Sequence, residues 1–192
     1  MKRFYLALLI LPLCLQLAGC GTTFREVIAD GPIEEDYGVR TRGTELEDKD
    51  IESKIAINVR FEPAFSQSAV QATSYNRIVL LTGQVSDPQK RQLAADMAGK
   101  IRHVRSVHNE LEIGEPAGLA TRSKDSLLHT KIRARLMASG QVDASRVHVV
   151  VENGSVYLMG LLTRPESQRV IDAVKEVAGL SRIVKVFEYI ER

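Results

Sequence analysis

Hydrophobic and polar residues alternate in one short pattern that occurs twice in this chain. The segments "IVLLTGQVSDP" at 78–88 and "SVYLMGLLTRP" at 155–165 both alternate around a glycine and end at a proline. They correspond at a constant offset of 77 residues. This self-similarity predicts two copies of one structural unit, at 48–113 and 124–192.

The surrounding residues predict the same order of elements in each copy. Apolar residues spaced four apart indicate a first helix, and they are Ile51, Ile55 and Val59 in one copy and Leu128, Ile132 and Leu136 in the other. Asn153-Gly154 suits a type I′ hairpin turn between two strands. Pro88 and Pro165 stand where a second helix would begin. We therefore expect an α+β protein, each unit running helix, strand, strand, helix, strand, with two helices on one face of a small three-stranded mixed sheet.

A glycine interrupts the second strand of each unit. Gly83 and Gly160 share a strand face with the apolar residues that should contact the helices. A residue without a side chain would let a helix cross closely there, or let the strand bulge. Because the glycine recurs at the same phase, we interpret both as structural.

Tandem units of this order, with a glycine late in the second strand, resemble BON domains. The segments that carry the likeness are, in order, "RTRGTELED", "YNRIVLLTGQV", "VHNELEIGEP", "TKIRARLMASG" and "ENGSVYLMGLLT". The whole chain after its first residues is similar to the dual-BON outer-membrane lipoproteins of the DolP type. That resemblance implies a phospholipid- or envelope-binding module without catalytic residues.

The N-terminus has the features of a lipoprotein signal peptide. Lys2 and Arg3 precede an apolar run too short to span a membrane, and "LAGC" at 17–20 is similar to a lipobox. We expect removal of residues 1–19 and diacylation of Cys20, with a flexible linker at 20–47. The resemblance to sorted lipoproteins implies an outer-membrane anchor, with the domains facing the periplasm. A second linker is expected at 114–123.

Composition argues against several other functions. The full chain has 26 basic and 24 acidic residues, and removal of Lys2 and Arg3 with the signal peptide would leave the two equal. A nucleic-acid-binding protein would be more basic. The four histidines lack zinc-site spacing, and no nucleophile elbow or phosphate loop occurs. We expect no enzyme activity, no cofactor and no metal.

The first helices of the two units differ in charge. The segment "EDKDIESKIAINVRFE" carries a net charge of −2, whereas "RSKDSLLHTKIRARLMASG" carries +4 and is a basic amphipathic helix. Leu127 lies off the core stripe of that helix, beside basic residues. An apolar residue flanked by cations is typical of helices that enter the headgroup boundary of anionic membranes. The predicted phospholipid-contact residues are Leu127, Lys131, Arg133, Ala134, Arg135 and Ala138.

One alternative assigns the protein to a different class. Tyr157, Met159 and Leu161 alternate with the core residues of their strand and would form an apolar outer face. Such a face would suit a non-catalytic adaptor for envelope assembly or peptidoglycan-remodelling proteins. Contact between the two units would bury the same residues.

Overall fold

Two helices and a mixed sheet form each half of the chain in the computed structural model, which describes residues 36–140 and 143–191. In the first half the elements are α1 (Arg42–Phe61), β1 (Ala69–Tyr75), β2 (Ile78–Val85), α2 (Pro88–Gly99), β3 (Ser106–Asn109) and β4 (Glu112–Ile113). In the second they are α3 (Leu119–Ser139), β5 (Val147–Glu152), β6 (Ser155–Leu162), α4 (Arg164–Lys175) and β7 (Arg182–Tyr189). The predicted α+β order is confirmed in both halves.

Each sheet has its second strand in the centre. In the first domain β1 pairs with β2 antiparallel, and β2 pairs parallel with β3 and then with β4. In the second, β5 pairs with β6 antiparallel and β6 with β7 parallel. The parallel pairs require a crossover, which α2 and α4 supply. The sheets are mixed, as predicted, although the last strand of the first domain is interrupted at 110–111.

The first helix of each domain begins earlier than the sequence pattern suggested. The Thr41 hydroxyl accepts a hydrogen bond from Thr44 N–H and caps α1, which starts at Arg42 inside the segment predicted as a flexible linker. Helix α3 starts at Leu119, so only 114–118 remains of the linker predicted for 114–123. The first turn of each helix carries little of the apolar stripe that marks the rest, which explains the difference.

Both hairpins turn through two residues with positive φ, the geometry of a type I′ turn. Asn76 and Arg77 form the first turn, and Asn153 and Gly154 form the second. A buried aspartate on the first helix of each domain accepts hydrogen bonds from both turn amides. Asp48 binds the N–H groups of Asn76 and Arg77 at 2.9 and 2.7 Å, and Asp125 binds those of Asn153 and Gly154 at 2.8 and 2.8 Å.

Gly83 and Gly160 are required because the backbone at the start of the neighbouring strand leaves no room for a side chain. The close helix crossing that we expected is not what excludes a side chain. A Cβ on Gly83, whose φ is +110°, would lie 1.8 Å from the carbonyl oxygen of Ala69. A Cβ on Gly160 would lie 2.6 Å from the carbonyl oxygen of Arg146. Ala69 and Arg146 lie at equivalent positions, where the first strand joins the sheet. In both copies a side chain would therefore collide with backbone.

The two domains pack through the sheet faces that point away from their helices. Tyr75 and Leu80 of the first domain join one apolar cluster with Tyr157, Met159 and Leu161 of the second. Tyr157 and Met159 are 1% and 0% exposed. The apolar outer face predicted as an adaptor surface is therefore covered by the first domain. Both faces of β2 and β6 are covered, which accounts for their nearly continuous burial.

Polar pairs surround this apolar contact. Asn76 Nδ2 donates to Glu188 Oε2 at 2.8 Å, and at the equivalent place Asn153 Nδ2 donates to Glu112 Oε2 at 3.0 Å. Arg105 also binds both carboxylate oxygens of Glu188, at 2.8 and 3.0 Å. Partial burial opposes ionisation of Glu188, but the hydrogen bonds from Arg105 and Asn76 outweigh it and lower its pKa.

Candidate lipid-binding face

The exposed side of α3 combines apolar side chains with lysines. Helical geometry places its members within an arc of about 140°. We call this surface the outer α3 face, and it consists of Lys124, Leu127, Lys131, Ala134, Met137 and Ala138, all exposed. Leu127 is 58% and Met137 69% exposed. The core residues Leu128, Ile132 and Leu136 hold the other side of the helix against the sheet.

Four of the six predicted contact residues lie on this face, namely Leu127, Lys131, Ala134 and Ala138. The remaining two have protein partners. Arg133 Nη1 donates to the carbonyl oxygens of Ala144 and Val147 at 2.9 and 3.1 Å, which ties α3 to the start of β5. Arg135 forms an ion pair with Glu176 at the end of α4. Neither contact could be read from the spacing along α3, because the partners lie beyond the helix.

Two further residues of the face, Lys124 and Met137, were not among the predicted contact residues. Lys124 precedes Leu127 by three positions and Met137 follows Ala134 by three, so both are neighbours on the helix surface. The i, i+3 spacing was the available signal for each. Their addition gives the face two lysines beside four apolar residues.

The equivalent surface of α1 has a different character. Asp50 stands where α3 has Leu127, and Lys54 stands where α3 has Lys131. These two side chains form an ion pair with each other. The charge at this place on α1 is therefore neutralised, whereas Lys131 has no ion pair among the described residues.

A buried arginine just before β5 links the second domain to the first residues of the described chain. Arg146 is 6% exposed and donates to the carbonyl oxygens of Gly38 and Leu161 at 3.0 and 2.7 Å, and to Glu166 Oε1 at 2.7 Å. Thr163 and Glu166 form a capping box at the start of α4. Partial burial opposes ionisation of Glu166, but the hydrogen bonds from Thr163 and Arg146 dominate and lower its pKa to about 2.

Neither the anchor nor a metal centre can be placed on this structure. Cys20, the predicted lipidation site, lies outside the described residues. Within 36–140 and 143–191, no group of three or more histidine, cysteine or acidic side chains could hold a metal ion. No helix in that part of the chain is long and apolar enough to cross a membrane.

Comparison with known proteins shows the family. The BON domain family matches residues 47–115 and 124–191. Outer membrane lipoprotein DolP of Haemophilus influenzae is 33% identical over 153 residues, which cover 79% of each chain. A 21 kDa hemolysin of Actinobacillus pleuropneumoniae is 30% identical over 153 residues, again 79% of each chain. BON proteins of this type belong to non-catalytic families. The tandem sheets with their flanking helices and these matches together show that the chain belongs to the BON-domain family, as a dual-BON outer-membrane lipoprotein of the DolP type.

Proposed function

We propose that the protein binds anionic phospholipid through the outer α3 face and thereby supports the integrity of the outer membrane. The observation that carries the proposal is the exposure of Leu127 and Met137 on one face with Lys124 and Lys131. Apolar side chains of this kind enter the boundary between headgroups and acyl chains, and lysines beside them attract anionic headgroups. The proposed activity is binding and requires no catalytic group.

The lipid anchor would place the face where it can act. Once Cys20 is acylated, the segment between it and Arg42 is short enough to keep α3 within reach of the same membrane. Two acyl chains on Cys20 are enough for stable attachment, so the face is not needed to hold the protein at the membrane. The outer α3 face would then determine which lipids lie next to the protein.

Vesicle flotation tests this proposal. A fragment beginning at residue 21 contains the whole compact unit Asp36–Arg192 and lacks the acylated cysteine. It should float with phosphatidylcholine vesicles that contain phosphatidylglycerol, and much less with vesicles that lack it. Lys131→Gln should weaken binding about fivefold, because one cation near such a surface contributes about 1 kcal/mol. Leu127→Glu should weaken it further.

The chain offers matched controls. Lys54→Gln changes the equivalent lysine of α1, which is already paired with Asp50, and should leave flotation unchanged. Arg135→Gln should have a smaller effect than Lys131→Gln, since Glu176 neutralises Arg135. If Lys131→Gln and Leu127→Glu proteins fold normally and float like the parent fragment, the proposal is wrong.

A further inference from the structure

A small cavity lies on a different side of α3, where that helix meets β5 and the end of β1. Its volume is about 290 Å³, near the lower limit for ligand sites in proteins. The polar groups that line it are Arg40, Tyr75, His129, Arg133, Ser145 and His148. No carboxylate lines this cavity. Four of its side chains, those of the two arginines and the two histidines, are cationic or can become cationic.

The two arginines of the cavity are held in place by other contacts. The Arg40 guanidinium lies 3.8 Å from the centre of the Tyr75 ring, and its Nη1 lies 2.7 Å from Asp48 Oδ2. Arg133 is fixed by its two bonds to backbone carbonyl oxygens, both from Nη1. Within the described residues, Nε and Nη2 of Arg133 therefore remain able to donate to a ligand. Because Asp48 neutralises Arg40, Arg133 is the fixed cation with spare donors, and such a group loses little entropy on binding an anion.

The two histidines supply further donors. Neither His129 nor His148 has a hydrogen-bonded side chain among the described residues. Desolvation lowers the pKa of His148, and the nearby Arg40, His129 and Arg133 lower it further. Burial is the largest cause, and repulsion from the neighbouring cations adds to it, while Asp48 acts in the opposite direction. An anion bound there would relieve this repulsion.

We propose that this cavity is a binding site for a phosphate group, carried either by a lipid headgroup or by a small soluble molecule. The remaining donors of Arg133, with two imidazoles beside them, suit that chemistry. The Ser145 hydroxyl already donates to Asp143 Oδ1 at 2.6 Å and is not counted among them. The volume fits a headgroup and excludes an acyl chain. His129 and Arg133 lie about 160° and 120° around α3 from Leu127, so this site is separate from the outer α3 face.

Nuclear magnetic resonance of the fragment from residue 21 tests the site with two probes, inorganic phosphate and glycerophosphoglycerol. Phosphate should shift the imidazole resonances of His129 and His148, with millimolar affinity. The double variant H129Q/H148Q keeps the contacts of both arginines and should bind phosphate at least threefold more weakly. Lys131→Gln, on the outer α3 face, should leave phosphate binding unchanged.

The two sources of phosphate give different results. If glycerophosphoglycerol also binds, and H129Q/H148Q reduces flotation with phosphatidylglycerol vesicles, the occupant is a lipid headgroup. If only inorganic phosphate binds and flotation is unchanged, the occupant is a soluble phosphate. The proposal is overturned if neither probe shifts the histidine resonances, or if the folded double variant binds phosphate as tightly as the parent.

Discussion

Asp48 and Asp125 make the same contact in the two domains, 77 residues apart in the sequence. Each is buried on the first helix of its domain, and each accepts hydrogen bonds from two successive amides of the following hairpin turn. A type I′ turn points both amides to one side, and a carboxylate with two oxygens matches them. The aspartate thus joins the helix layer to the tip of the hairpin.

Asp125→Asn should lower the free energy of unfolding of the second domain by about 1.5–3 kcal/mol. The amide offers only one acceptor oxygen, and its NH₂ group would oppose a turn N–H. Urea denaturation followed by circular dichroism measures this change. Asp50→Asn is the control, because Asp50 is exposed and its substitution should cost no more than about 0.5 kcal/mol. Equal losses in the two variants would contradict the assigned role.

Substitution of the strand glycines should show a graded loss of stability. Gly83→Ala combines a positive φ with a backbone collision and should cost at least about 2 kcal/mol. Gly160→Ala has the collision alone and should cost about 1–3 kcal/mol, the range for overpacking. Gly114→Ala meets nothing within 4 Å and should be nearly neutral. Thermal unfolding of the three variants gives the order, and a Gly83→Ala protein as stable as the parent would show that the strands can move apart.

Acid should weaken the contact between Arg146 and Glu166. The pKa of Glu166 is about 2 in the folded protein and about 4.5 when unfolded, so the unfolded chain takes up the proton first. The stabilisation is therefore complete above pH 4.5 and is lost as the pH falls towards 2. Glu166→Gln should be less stable than the parent at pH 7, and the difference should shrink by pH 3. A difference that is constant across this range in urea titrations would argue against the pairing.

The anchor prediction concerns residues outside the described structure. Cys20→Ala should abolish acylation, and the protein should then leave the membrane fraction in high salt, where electrostatic attraction is screened. Fractionation with salt washing measures this. Protein that still sediments with outer membranes after the wash would show that Cys20 is not the anchor.

Periodicity was enough to predict the elements and their order, because a strand buried on both faces and a helix buried on one leave different spacings of apolar residues. It could not explain Gly83, since the obstructing carbonyl of Ala69 belongs to another strand. Asp48 was visible as a repeat of Asp125, but the hydrogen bonds that each aspartate accepts from a hairpin turn 28 and 29 residues later were not. The structure places it within α1, facing the turn.

The candidate lipid-binding face, too, could be predicted from the sequence only in part. Leu127 was recognised because it departs from the core stripe, which is a property of the sequence alone. The neutralisation of Arg135 by Glu176 depends on how α3 lies against α4, and no spacing along one helix reports it. The apolar face of β6 was predicted correctly as apolar, and the structure shows the first domain covering it.

The two domains contact each other as the partners of an isologous interface do, because each offers the same group to the other. Asn76 donates to Glu188, and Asn153 donates to Glu112. Here both partners belong to one polypeptide. Their effective concentration is set by the short connection 114–118 and does not depend on how much protein the cell makes. A contact area too small to hold two separate chains together at low abundance can therefore keep these domains associated.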